Sequence, residues 1–447
     1  MKLRSLIVAL CVLAALMGAL YWSNRHPKSA ETAEASVPAS PKILSLKEDD
    51  ISKIELKKSG AAPIVLAKQN GNWRMTAPQS FGADQTAVSS MLTTLSSLNS
   101  ERLVEDKASN LDQYGLGQGG FEAAIGEKDN RGQQLVLGDT TPTGGSVYAR
   151  LEGDPRVFTI AAYEKNNIEK EVNDLRDKRL ITANADKISK VELQAKKQDM
   201  EFGRNKDEWQ IVKPQPLRAD GTQVEDLLRN LTDAKMELSA SDDPKKMAAG
   251  FASAPPVATA KVTDESGTQE LQVRKNKDDY YAKSSVVVGI YKVASTVGQG
   301  MDKGLDDFRN KKLFDFGYSD PNKIEVHDGT KSYFLTRGGD DWWNGTSQKL
   351  DPGSAQSLID KIRDLSASKF LESGFTQPSI ELTVTSKDNK LTEKVLIAKS
   401  GDNYVAKREN EPSLYQINAQ AVSDLEKAAQ DLKLAAAPQA NPAKPTK

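Results

Sequence analysis

Lys53-Ile54-Glu55-Leu56 returns as Lys190-Val191-Glu192-Leu193 and again as Lys323-Ile324-Glu325-Val326. The offsets are 190 − 53 = 137 and 323 − 190 = 133 residues. Downstream of each comes a second stretch of strand character that carries a tryptophan: Trp73, Trp209 and Trp342. Alternating apolar and polar positions with β-branched residues read as strands. Self-similarity at a nearly fixed period is the mark of a tandem array. One module, read three times, therefore decides the fold.

The helix after each tryptophan keeps its register in all three copies. Asp84, Asp220 and Asp351 stand where a helix N-cap is needed, with a side-chain oxygen for the free N–H groups of the first turn. The apolar stripe then runs Val88, Met91, Leu92, Leu95, then Val224, Leu227, Leu228, Leu231, and finally Ala355, Leu358, Ile359, Ile362. That i, i+3, i+4, i+7 spacing lays one helix face on a sheet. Pro352 falls at the first helical position, where its missing N–H costs nothing.

A glycine and a bulky apolar residue follow as Gly115-Leu116, Gly250-Phe251 and Gly374-Phe375, read as a repeated turn. Hairpins come next. Phe121–Ile125 faces Gln134–Leu137, Val257–Val262 faces Glu270–Val273, and Ile380–Thr385 faces Glu393–Ile397. Turn residues such as Lys387-Asp388-Asn389 separate the partners. A further pair of short strands passes through Ala149, Ala282 and Ala406. One closing helix per copy then buries Ile168 and Leu175, Met301 and Phe308, or Leu425 and Leu432. The expected fold is α+β: three tandem repeats, each an antiparallel sheet with two helices, over 43–181, 182–316 and 317–434.

Tandem modules with an early Ile-Glu-Leu strand, one Trp, a capped helix and the Tyr114-Gly115-Leu116 turn resemble a bacterial family, the domain of unknown function 4340. The second and third copies depart from its pattern in lacking the Tyr before the Gly. The resemblance covers the body of the chain. It implies an N-terminal membrane anchor and a genetic neighbourhood of gliding-motility-type ABC transporters. The family has no established catalytic residues, so none is carried over.

Lys2 and Arg4 precede an unbroken apolar run from Leu6 to Trp22. Seventeen residues at about 1.5 Å each just cross a hydrocarbon core, with Tyr21 and Trp22 at the interface. Signal cleavage needs small residues at alternate positions, and Met17-Gly18-Ala19-Leu20 puts Leu or Met in one of those slots whichever bond is tried, while Leu10 before Cys11 spoils a lipoprotein signal. The expectation is an uncleaved anchor in the cytoplasmic (inner) membrane, with 1–22 as stub and span. Residues 23–42 form a flexible stalk, the bulk of the chain is periplasmic, and 435–447 is a disordered tail.

Composition narrows the chemistry. Of 447 residues, 61 are Lys or Arg and 62 are Asp or Glu, so the net charge of −1 argues against a nucleic-acid partner. The single cysteine, Cys11, lies in the apolar run, which excludes disulfides and thiolate metal sites. His26 and His327 are the two histidines, too few for a multi-histidine zinc site. With His327 alone in the folded body, no Ser-His-Asp or Cys-His set can be assembled. Gly115-Leu116-Gly117-Gln118-Gly119-Gly120 fits a dinucleotide fingerprint literally. It precedes a strand instead of following one, so it reads as a turn.

Other features have ordinary readings. The three repeated tryptophans read as core plugs, and the basic clusters Arg176–Arg179 and Arg309–Lys312 as charge at a helix C-terminus where modules meet. Trp343 differs, because the other copies have no second aromatic there. It is the candidate contact for a ligand or partner, with Asp341 beside it. The expected function is a membrane-anchored extracytoplasmic scaffold, not an enzyme and with no cofactor or metal. It works with a membrane protein, an ABC-type transporter by resemblance, and meets the lipid bilayer through its N-terminal helix. Two alternatives stay open: a module binding envelope glycan or peptide, and a carboxylate-based envelope hydrolase.

Overall fold

The computed structural model describes residues 42–436 apart from 129–130, 207, 240 and 319–320. The apolar run 6–22 and the stalk up to residue 41 lie outside the described residues, as does the tail from residue 437. Among the described residues no helix is long and apolar enough to cross a membrane. The chain divides into two compact units, the first ending at Lys178 and the second starting at Arg179. The first holds one antiparallel sheet and the second holds two.

In the first unit, β1 (Ile51–Lys57), β2 (Ile64–Gln69), β3 (Asn72–Ala77) and β4 (Phe81–Gly82) form a meander. Helix α1 (Gln85–Ser97) and β5 (Arg102–Glu105) follow. A second meander is β6 (Phe121–Glu127), β7 (Gly132–Thr140), β8 (Ser146–Leu151) and β9 (Val157–Ala161), closed by α2 (Ala162–Ile168) and α3 (Val172–Leu175). The sheet order is β4-β3-β2-β1-β6-β7-β8-β9-β5, so the two meanders join along β1 and β6, with Ile54 opposite Ile125.

The second unit repeats the plan twice. Its first sheet contains β10 (Lys190–Ala195), β11 (Gln198–Asn205), β12 (Glu208–Lys213) and β13 (Leu217–Arg218), then helices α4 (Gly221–Thr232) and α5 (Pro244–Ser253). The sheet resumes with β14 (Pro256–Asp264), β15 (Gly267–Asn276), β16 (Asp279–Ser284) and β17 (Ile290–Val293), ahead of α6 (Ser295–Met301) and α7 (Leu305–Phe308). The last sheet has β18 (Lys323–Asp328), β19 (Lys331–Gly338) and β20 (Asp341–Asn344), with α8 (Pro352–Arg363) and β21 (Lys369–Leu371) next. It ends with β22 (Ile380–Ser386), β23 (Leu391–Ser400), β24 (Asn403–Arg408), β25 (Leu414–Ile417) and α9 (Ala419–Gln430).

Each sheet buries one face. In β10, Val191, Leu193 and Ala195 are buried while Lys190, Glu192 and Gln194 point the other way. Period-two alternation thus fixes the strand register, since a one-residue slip would exchange the faces. The helix stripes close the buried side: all four apolar residues named for each of α1, α4 and α8 are buried. Asp84 accepts from the N–H groups of Thr86 and Ala87, Asp220 from those of Thr222 and Gln223, and Asp351 from that of Ser354.

Four expectations need correction. The helix count per sheet is three, four and two among the described residues. The closing helix is broken in the first two modules, because a second N-terminus is built within it. The Glu171 and Gly304 N–H groups are taken by the carboxylates of Asp174 and Asp307, which starts α3 and α7 afresh. Gly250-Phe251 is not a turn but part of α5, started by Asp243 and Pro244. Gly115 does sit in a turn, at φ +66, and Gly374 has φ +107. Finally, Leu180 and Ile181 pack in the second core, and Leu313, Phe314 and Phe316 in the third. The second and third cores therefore start slightly before residues 182 and 317, while the first starts at Ile43 as expected.

Trp73, Trp209 and Trp342 are 6%, 5% and 9% exposed, against 37% for Trp343. Substituting Trp209 by Ala should destabilise its module by about 3–5 kcal/mol, with Trp73 and Trp342 behaving alike. Trp343→Ala should cost less than about 1 kcal/mol. Denaturant melts of the single variants check both statements.

Candidate functional site

A side chain from the second hairpin strand holds the lead-in segment of every module. In the first, Gln133 Oε1 accepts the Ser45 N–H and its Nε2 donates to the Ser45 carbonyl. In the second, Gln269 Oε1 accepts the N–H groups of Thr182 and Ala183. In the third the same position is Glu393, whose carboxylate accepts the Asp315 N–H at 3.1 Å. One rung away, Ser284 donates to the Leu180 carbonyl, and its third-module counterpart Arg408 donates to the Leu313 carbonyl. The third copy has thus replaced a neutral clamp by a charged one.

That charge joins the second module to the third. Arg218, on β13, places Nη1 at 2.8 Å from Asp315 and Nε at 2.7 Å from Glu411, and its Nη2 donates to the Tyr415 hydroxyl and the Lys312 carbonyl. Arg408 brings Nε to 2.8 Å from the same Glu411 oxygen and Nη2 to 3.0 Å from Glu393. The Tyr415 hydroxyl donates to the other Glu411 oxygen at 2.7 Å. Arg309 stacks on the Phe370 ring at 3.5 Å and donates to Ser413.

Burial sets the titration of these groups. It pushes the Glu393 carboxyl above its usual range against the pull of Arg408. It likewise raises the Tyr415 phenol, which Arg218 opposes. Burial works against the charge of Arg218, but Asp315, Tyr415 and Glu411 outweigh it and the guanidinium holds its proton more tightly than usual.

Beside this joint lies an open cleft of about 940 Å³, in the size range of ligand sites. One wall is the edge of β12 with the start of α4: Trp209, Gly221, Thr222 and Glu225. The opposite wall includes Phe316, Tyr318 and Arg363. Tyr318 is 83% exposed, with the Arg363 guanidinium 3.9 Å above its ring. The Trp209 indole N–H donates to Glu225 at 2.6 Å, and Arg204 lies over the same ring. The cleft offers aromatic surface, guanidinium donors and carboxylate acceptors, a set suited to holding a polar ligand.

The sequence candidates lie elsewhere. Trp343 faces out from β20, packed on Gly338, and the Asp341 carboxylate is 2.7 Å from Lys349. The structure brings these two to one edge of the third sheet, where Asp341 lines a smaller pocket that shares Tyr318 with the large cleft. His327 Nδ1 shares a hydrogen bond with Ser332 Oγ, and its ring meets Phe334 edge-on. Arg176 stacks on Phe81 at 4.0 Å, the counterpart in the first module of the Arg309 position. Among the described residues no group of three or more His, Cys, Asp or Glu side chains is placed to hold a metal ion. Sequence reasoning missed Arg218, Asp315, Glu393, Arg408 and Glu411. The available signal was the third copy's Glu393 and Arg408 standing against Gln269 and Ser284.

Glu411→Gln should destabilise the third module by about 3 kcal/mol, since it leaves two half-buried guanidinium groups short of charge. Calorimetry should then resolve a separate transition for that module. Glu393→Gln tests the raised carboxyl. A folded-state pKa above the unfolded one stabilises the protein below the unfolded pKa, and this is lost as pH rises through the folded value. Relative to the unaltered chain, the Gln variant should therefore gain stability as pH rises above about 4, the ordinary carboxyl range.

A family model described as a domain of unknown function (DUF4340) matches residues 73–210 and 209–379. Both matches begin at a repeated tryptophan, Trp73 or Trp209, so the family unit is staggered against the sheets and takes in the first strands of the following module. No curated protein matches the chain. The two matches together run from residue 73 to residue 379 of 447, and the chain belongs to this family of domains of unknown function.

Proposed function

We propose that the chain is a membrane-anchored extracytoplasmic accessory protein that acts by binding, with the run Leu6–Trp22 as a single-pass anchor in the inner membrane. The partner we propose is a membrane protein, an ABC-type transporter by family resemblance. The observation that carries the binding reading is the cleft beside the Arg218–Glu411 joint. Its two walls come from different modules, and the half-buried charge network holds them in one arrangement. A tether and a preformed cleft raise local concentration and lower the ordering penalty of association.

The second reading is an envelope glycan- or peptide-binding module. The exposed Tyr318 and the stacked Arg363 favour it, because such surfaces serve sugars and peptides alike. The carboxylate-based hydrolase has less support. Glu225 is engaged by the Trp209 indole, and Glu393, Glu411 and Asp315 are engaged by arginines. Trp343 and Asp341 remain a proposed secondary contact at the β20 edge.

Affinity purification of the full chain from detergent-solubilised membranes is the direct test. Subunits of one membrane complex should co-purify in near-stoichiometric amount, and N-terminal sequencing should find the segment before residue 18 retained. Recovery of the chain alone, or a mature N-terminus within residues 18–42, would count against the tethered accessory role.

A further inference from the structure

The peptide edge of the repeated tryptophan is plugged at both groups in the first module, capped at its carbonyl in the third, and without a plug in the second. The hairpin rungs explain which way that edge faces. Gln69–Asn72, Asn205–Glu208 and Gly338–Asp341 are the rungs next to the two-residue turns, and the next rungs are Lys68–Trp73, Arg204–Trp209 and Arg337–Trp342. Antiparallel ladders alternate, so at this second rung the N–H and C=O groups point away from the hairpin partner and toward the free side.

On that free side the first module supplies a side-chain amide. The Trp73 N–H donates to Gln85 Oε1 at 2.8 Å, and Gln85 Nε2 donates back to the Trp73 carbonyl at 2.9 Å. The third module supplies backbone: the Leu350 N–H donates to the Trp342 carbonyl at 2.8 Å, and Trp343 bridges to Lys349. In the second module β13 pairs with Gln210 and Ile211, as β4 pairs with Arg74 and Met75 in the first, so the ladder turns the Ala219 N–H toward the Trp209 carbonyl and leaves the Trp209 N–H beyond its end. The residue after the cap Asp220, where the first module has Gln85, is Gly221. A Cβ built on Gly221 would meet nothing within 4 Å, and Trp209, Gly221 and Thr222 all line the large cleft.

We propose that this edge is a receptor for an extended peptide segment of a partner polypeptide, one residue of which accepts from the Trp209 N–H and donates to the second lone pair of its C=O, as the Gln85 carboxamide does at Trp73 in the first module. Strand addition of this kind draws its affinity from main-chain hydrogen bonds and its selectivity from flanking pockets. Here the flanking walls are Glu225 and Thr222 on one side and Tyr318 with Arg363 on the other. The proposal rests on the binding function above and gives it an address. It also predicts its own antagonist, since Gly221→Gln would restore the plug that the first module carries.

The probe is a phage-displayed random decapeptide library panned on the purified full chain in detergent. Enriched peptides should bind the unaltered protein and the Gly221→Ala variant alike, and bind Gly221→Gln at least tenfold more weakly. Hydrogen exchange at the Trp209 amide, read in the unaltered protein, should slow when an enriched peptide is added. It should also be slow in Gly221→Gln without any peptide. No enrichment, or peptides whose binding ignores Gly221→Gln and leaves Trp209 exchange unchanged, would overturn the site. That outcome is distinct from failure of the accessory role, which is judged by membrane co-purification and not by peptide binding.

Discussion

Two guanidinium groups from different modules meet one carboxylate where the second sheet is joined to the third. Arg218 and Arg408 both bring Nε within 2.8 Å of Glu411, while Asp315 and Glu393 complete the neutralisation. Buried charges of one sign cannot approach this closely unless opposite charge lies between them. The joint therefore fixes where β13 sits relative to the β24–β25 turn, and with it the spacing of the cleft walls. Coulomb attraction in a partly dried site is directional only through hydrogen bonds. The planar forks of two arginines supply that direction better than two lysines would.

The joint grew out of a feature all modules share. Gln133, Gln269 and Glu393 occupy one position and do one task, holding the backbone of the segment that leads into the module. A neutral amide does this without needing a counter-charge. Changing the amide to a carboxylate keeps the acceptor but buries a charge, and Arg408 in place of Ser284 provides the compensation. The pair then has surplus donors and acceptors to turn toward a neighbouring module.

How much of this was legible in the sequence depends on distance along the chain. The capped helices and their stripes are local patterns, and Asp220 with Val224, Leu227, Leu228 and Leu231 could be read directly. The strand pairings were legible because the copies corroborated one another. The break between α6 and α7 was hidden, since it turns on one bond from the Gly304 N–H to the Asp307 carboxylate. In α9 no such second start exists and the helix runs from Ala419 to Gln430. The joint was the least legible element. Arg218 and Glu411 belong to different modules, and no local periodicity links them.

Repetition also misdirected attention, and the reason is physical. What recurs in three copies is what each module needs in order to fold: a buried tryptophan, a cap, a stripe. A site that acts once has to lie where the copies differ. Trp343 is such a difference, but the Lys349 bridge already pairs its strand edge, and Asp341 is engaged by the same lysine. Gly221 is a quieter difference, a side chain that is missing where Gln85 and Leu350 show that something should close the edge. A missing plug leaves the Trp209 N–H and one lone pair of its carbonyl facing a cleft, and main-chain polar groups in such a place call for a partner. An extended chain can be that partner, because each of its peptide groups offers the complementary pair. The residue most informative about recognition in this protein is therefore the one with no side chain.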